Sequence, residues 1–233
     1  MLLLFIIAII IVVAIIFIVR IEIQNNRLLK TVTSLNRGTG TERDLVLTLL
    51  KSGVPKETIF HDLYLKKSNG KYCQVDVVVA TSVGIIVFVI KRYSGWIFGT
   101  GYQKQWTQVL AFGLEKHRFY NPVIQNKTHI ENLKRQLNQG NVPFFSVIVF
   151  YGDCRFKDIS SIPDGIFLIK SDRIIEVIKT IKETNKPAMY RSKVEVVRVL
   201  REAAYNGGNI SIQKQHVKNI NDMLSKQRRR RFY

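Results

Sequence analysis

The chain has 233 residues, with 36 Lys and Arg against 17 Asp and Glu and a formal net charge of +19. Its 46% hydrophobic content excludes disorder for most of the length, and its two cysteines, Cys73 and Cys154, make neither a disulfide framework nor a metal-ligand spacing, as suits buried free thiols in a reducing cytoplasm. So basic a protein calls for a polyanionic partner, nucleic acid or anionic lipid, and charge alone leaves both open.

Residues 1–19, MLLLFIIAIIIVVAIIFIV, are apolar without interruption. As a helix they span roughly 28 Å, close to the thickness of a bilayer's hydrocarbon core, and they read as a transmembrane anchor. No basic residue precedes the run and no small-residue cleavage site follows it, against a signal peptide. Every Lys and Arg lies behind it, from Arg20 onward, so the positive-inside bias predicts a single-pass cell-membrane protein, N-terminus outside and the long remainder cytoplasmic.

A polar connection, residues 22–36, follows and is open to continuation as a helix, then comes a loop at Gly38-Thr39-Gly40-Thr41. Leu45, Val46, Leu49 and Leu50 give the stripe of a short helix that starts near Thr41, has Glu42 in its first turn and ends at Gly53. Strands are predicted at residues 58–65, 72–80 and 84–91, joined by short polar turns as a meander. A turn-rich segment covers residues 95–101, a helix 122–137, and a buried strand 144–151. Residues 165–169 read as a short strand and 172–183 as an amphipathic helix, completing an α/β core. Two further helices, 193–204 and 212–226, precede a run of arginines. The predicted organisation is anchor 1–20, juxtamembrane linker 21–37, main domain 38–186, helical appendage 187–227 and basic tail 228–233.

Strand alternation sets Gln74 and Asp76 on one side of their strand, and Lys91 closes the next strand on the face shared with Val89. A charge in an apolar strand needs a partner or a ligand, and an Asp76–Lys91 salt bridge is the plain expectation.

Five motifs in order run Gly40-x-Glu42, Gln74-x-Asp76, Gly84 with an apolar strand into Lys91-Arg92-Tyr93-Ser94-Gly95-Trp96-Ile97-Phe98-Gly99, Trp106-x-Gln108, and Asn121-Pro122-x-x-Gln125. Together they resemble the nuclease-related domain (NERD) family over residues 38–151. The resemblance implies an α/β PD-(D/E)XK nuclease-like fold, a central mixed sheet with flanking helices, and a nucleic acid substrate, DNA favoured. In such a site carboxylates hold Mg²⁺, which activates water and neutralises the scissile phosphate, while a Lys stabilises the transition state. Carried over, Glu42 is the helix carboxylate, Asp76 the strand metal ligand, Lys91 the catalytic lysine and Gln74 the polar partner of Asp76; Gln108 and Gln125 join the nucleic-acid contacts.

One position departs from the pattern. Where the family has Glu two residues before the Lys, this chain has Val89, and a valine cannot ligate a metal. Asp62 or Glu115 would have to supply the missing acid, or the domain binds nucleic acid with impaired phosphodiester hydrolysis. The corresponding alternatives are an active Mg²⁺-dependent nuclease with a relocated carboxylate and a membrane-tethered protein-interaction module.

Trp96, Phe98, Tyr102 and Trp106, interleaved with Arg92 and Lys104, suit either a core or a stacking platform beside a phosphate-binding stripe. The four histidines share no spacing and receive no role. From Tyr205 onward seven basic residues face one acid, and Arg228, Arg229, Arg230 and Arg231 are expected to touch phosphates or anionic lipid.

Overall fold

The computed structural model describes residues 1–67 and 69–229. Helix α1 (Leu2–Leu29) is the one described helix long and apolar enough to cross a membrane. It does not stop with the apolar run. It continues through the first half of the segment read as a linker, and its last residue, Leu29, is buried among Leu45, Leu49 and Ile59. The polar connection thus continues as helix over its first part, the option its sequence left open, and ends where Leu29 has a core to enter.

Helix α2 (Gly40–Lys51) is capped by Thr39 rather than started at Thr41, and the Thr39 hydroxyl accepts from the Glu42 amide at 3.3 Å. Strands β1 (Ile59–Lys66), β2 (Tyr72–Thr81) and β3 (Gly84–Arg92) form the predicted antiparallel meander. Strand β4 (Gly95–Thr100) follows, then β5 (Gln105–Leu110), β6 (Glu115–Tyr120) and helix α3 (Pro122–Leu137). Strand β7 (Phe144–Tyr151) pairs parallel with β3, and beyond β8 (Cys154–Ser160) strand β9 (Ile166–Lys170) pairs parallel with β7. Helices α4 (Ile174–Thr184), α5 (Lys193–Asn206) and α6 (Ile210–Arg229) complete the order.

The five-stranded sheet runs β1-β2-β3-β7-β9, mixed as the resemblance implies. One of its faces is covered by α2, α4 and the end of α1, through Leu45, Leu49, Ile174 and Ile178; the other by α3 and α5, through Leu133, Leu137, Val196 and Leu200. Helix α5 is thus a core layer rather than part of an appendage, and the preceding segment is tied to the sheet by Tyr190, whose hydroxyl donates to the Thr81 carbonyl at 2.7 Å.

A second sheet, β6-β5-β4-β8, stands where a turn-rich segment was expected. It grows directly out of the first. The parallel β3–β7 pairing continues through Tyr93 N to Tyr151 O at 3.1 Å and Gly95 N to Asp153 O at 3.0 Å into parallel β4–β8 pairs. Gly152 allows this close approach, having φ +81 and no room for a Cβ against the Tyr93 carbonyl. Asn121 locks the far side: its amide donates to the carbonyls of Thr100, Gly101 and Gln103 while its Oδ1 caps α3 through Val123 N. Inside the junction Trp106 is fully buried and stacks on Phe150 at 6.2 Å.

Candidate active site

The middle of β2, the end of β3 and the start of α2 bring together three of the four residues carried over from the resemblance. Asp76 sits where β2 and β3 part, one residue beyond the last registered pair, Val77 with Phe88. Its Oδ2 accepts from the Ile90 amide at 2.8 Å in place of a backbone carbonyl. Burial, and next the negative charge of Glu42, push the Asp76 carboxyl up to about 7, with the Ile90 amide and Lys91 pulling the other way. Lys91 ends β3; burial lowers its pKa, and Asp76 and Glu42 partly restore it. Among the described residues no ion pair within 4.0 Å joins Asp76 to Lys91, so the expected salt bridge gives way to a longer-range coupling, because the carboxylate is held by the neighbouring strand's backbone.

Glu42, 6% exposed, reaches the site from the first turn of α2. Its Oε1 accepts from the Thr39 hydroxyl at 2.8 Å. Its Oε2 lies 3.3 Å from His61 Nε2 without hydrogen-bond alignment, and both atoms are buried without a hydrogen-bond partner. The other ring nitrogen of His61 shares a 2.8 Å hydrogen bond with the Thr33 hydroxyl. Gly38, at φ +59, closes the pocket: a Cβ there would run into Glu42 Oε2 and lie 2.6 Å from His61 Nε2. The histidine assigned no role from sequence is thus the immediate neighbour of the helix carboxylate. A His-Asp pair inside an apolar strand was the available signal, but only the fold puts α2 across from it.

Gln74 does not partner Asp76. It donates to Asp62 Oδ1 at 2.9 Å, and Arg37 Nε lies 3.3 Å from Asp62 Oδ2, so Asp62 is a clamped structural carboxylate at φ +53. Arg37 also donates to the Ala204 carbonyl at 2.8 Å, fastening α5 to the loop before α2. Asp62 is therefore not a substitute for the missing acid. Nor is Glu115, exposed on β6 and paired with His117 at 3.5 Å. Val89 itself is fully buried.

Among the described residues no three His, Cys, Asp or Glu side chains are grouped so as to hold a metal ion. One oxygen of Asp76 is engaged by an amide, one of Glu42 by a hydroxyl, and the third position is a hydrocarbon. Mg²⁺ demands near-octahedral oxygen coordination, and this donor set does not fit the centre the resemblance implies.

The remaining expectations scatter. Arg92 and Lys104 are exposed, the first at the end of β3 and the second in the loop before β5. Gln108 is buried, its amide donating to the Ser94 carbonyl at 2.9 Å, and so serves the strand junction rather than a ligand. Gln125 is half-buried in the first turns of α3. Trp106 belongs to the core while Trp96 and Phe98 lie on the opposite face of the second sheet, so the four aromatics are not one platform. Arg228 and Arg229 end α6; Arg230 and Arg231 lie outside the described residues.

An uncharacterized protein of Bacillus anthracis is 26% identical over 187 residues, covering 78% of this chain and 84% of the relative. No solved structure matches the chain. The nuclease-related domain family matches residues 37–151, the stretch from the Arg37 clamp to the end of β7. Those residues form a nuclease-related (NERD) domain, of general PD-(D/E)XK fold.

Proposed function

We propose that this is a single-pass membrane protein whose cytoplasmic nuclease-related domain binds nucleic acid, DNA in the first instance, with phosphodiester hydrolysis impaired by Val89. The observation that carries the proposal is the buried valine facing the position of a ligand, in a site that otherwise keeps Asp76, Glu42 and Lys91 within electrostatic reach of one another. Support for binding comes from Lys91. Among the described residues its ammonium forms no ion pair within 4.0 Å, and a half-buried cation beside a carboxyl held near neutrality suits a phosphate. The anchor and the charge bias after it support the topology, N-terminus outside and domain inside, in the cell membrane.

Glu42 and Asp76, the remaining carboxylates, do not make up a magnesium centre, and on this reading binding of the polymer does not need the metal. The test uses the full chain in detergent micelles with end-labelled single- and double-stranded DNA, with Mg²⁺, Mn²⁺ or chelator. The expected result is salt-sensitive binding that survives chelator, and no metal-dependent cleavage. Cleavage that needs metal and disappears in Asp76→Ala would overturn the impairment; absence of salt-sensitive binding to DNA or RNA would overturn the whole reading in favour of a protein-interaction module.

A further inference from the structure

The second sheet has one buried face and one open face. Ile97, Trp106 and Cys154 are at most 5% exposed and cluster with Phe119 and Phe156 against the junction with β7. Alternation sends their neighbours to the other side. There the cross-strand register aligns Lys116, Val109, Trp96 and Arg155 in one row over all four strands, and Arg118, Thr107, Phe98 and Asp158 in the next. The register shift in β8 after Phe156 makes Lys157 the extra residue, and its ammonium stands 5.0 Å over the Trp96 ring.

We infer that this open face is a binding platform for single-stranded nucleic acid, with Trp96 and Phe98 as the stacking surfaces and Lys116, Arg118, Arg155 and Lys157 as the phosphate contacts. The inference rests on the nucleic-acid reading above and assigns it a surface and a polymer form. Two half-buried aromatic rings lie about 7 Å apart along one strand, on a rigid sheet and between basic edges. Bases stack on such faces without sequence preference, while the flanking cations track the backbone. Lys157 already shows that the Trp96 face accepts a cation, and it must swing aside, toward a phosphate, when a base arrives. Asp158 is the one acid in the two rows and sits at their edge strand. A lipid surface fits less well: membrane insertion needs apolar side chains that protrude, and these rings lie half-buried in the sheet.

The test is anisotropy of a fluorescein-labelled oligothymidylate of about fifteen nucleotides with the full chain in zwitterionic micelles, over a series of salt concentrations. Trp96→Ala should weaken binding about tenfold, with Trp96→Phe recovering most of it. The pairs Lys116→Gln/Arg118→Gln and Arg155→Gln/Lys157→Gln should each lower the slope of log K against log salt by about 1.4. Of the two tryptophans, Trp96 should be quenched by the oligonucleotide and the signal should vanish in Trp96→Phe, with buried Trp106 still emitting. Wild-type melting temperatures in the variants exclude misfolding as the cause. If the wild type binds and these variants match it while Lys91→Met weakens binding, the platform is refuted and the nucleic-acid reading stands. If the wild type does not bind the oligothymidylate but binds double-stranded DNA or RNA, the platform alone falls; if it binds none of them, both fall. Losses confined to phosphatidylserine vesicles would make the face a lipid contact and overturn the inference.

Discussion

Asp76 holds its proton close to neutral pH because its own sheet buries it and Glu42 repels its charge. The sign of the consequence follows directly. A carboxyl whose folded pKa, about 7, exceeds its ordinary value of 3.8 binds protons more tightly in the native state, so its contribution is fully present below about pH 4 and is lost as pH rises toward 7. Asp76→Asn keeps an acceptor for the Ile90 amide and removes the charge. It should stabilise the protein at pH 8 by on the order of 1–3 kcal/mol and flatten the melting-temperature profile between pH 5 and 8. A variant whose profile runs parallel to wild type would show that another group titrates. At this scale the sequence singled out Glu42, Asp76 and Lys91 because each stands in a short motif with a local periodicity, and the fold brings the three within electrostatic reach of one another. It misassigned Gln74, whose partner Asp62 lies on the neighbouring strand, and it overlooked His61, whose neighbours Thr33 and Glu42 come from the loop before α2 and from α2 itself. Contacts of that range are set by the fold, and nothing in spacing along one strand reports them.

Helices and strands of the first sheet follow their hydrophobic periodicity closely. Residues 122–137 and 144–151 match their predicted limits, and the others shift by one or a few residues. The second sheet was hidden. Strand β6, EKHRFY, opens with four exposed polar residues, because an edge strand needs no apolar alternation, and β4 is bracketed by glycines that read as turns. What makes β4 a strand is the parallel pairing handed on from β3 and β7. The end of α1 is the other element whose role depends on packing. Leu29→Ala should destabilise the folded domain by about 2–4 kcal/mol, measured by denaturant unfolding of the full chain in micelles. A loss below about 0.5 kcal/mol, typical of surface positions, would mean that the anchor helix is not seated in the core. Seated there, it makes the long apolar helix and the surroundings of the site one continuous piece, since Thr33, four residues on, holds His61.

For the molecule as a whole, the proposed function with a charge of +19 behind an apolar helix sets two polyanions in competition, lipid and nucleic acid. In nanodiscs the apparent affinity for DNA should be lower with phosphatidylserine than with phosphatidylcholine alone, and the gap should close as salt is raised to about 200 mM, where both attractions are screened. Equal affinities at low salt would mean that the basic surface faces away from the bilayer. The sequence by itself determined the long apolar helix, the charge, the order of the core elements and the one position, Val89, that departs from the expected motif, because each is written in local composition or spacing. The tertiary structure decided which acids meet, that Asp62 is clamped by Arg37 and unavailable, and that Trp96 and Trp106 part to opposite faces of a sheet. Those outcomes depend on pairing between segments distant in the chain, where burial and hydrogen-bond satisfaction, rather than the local pattern, select the arrangement.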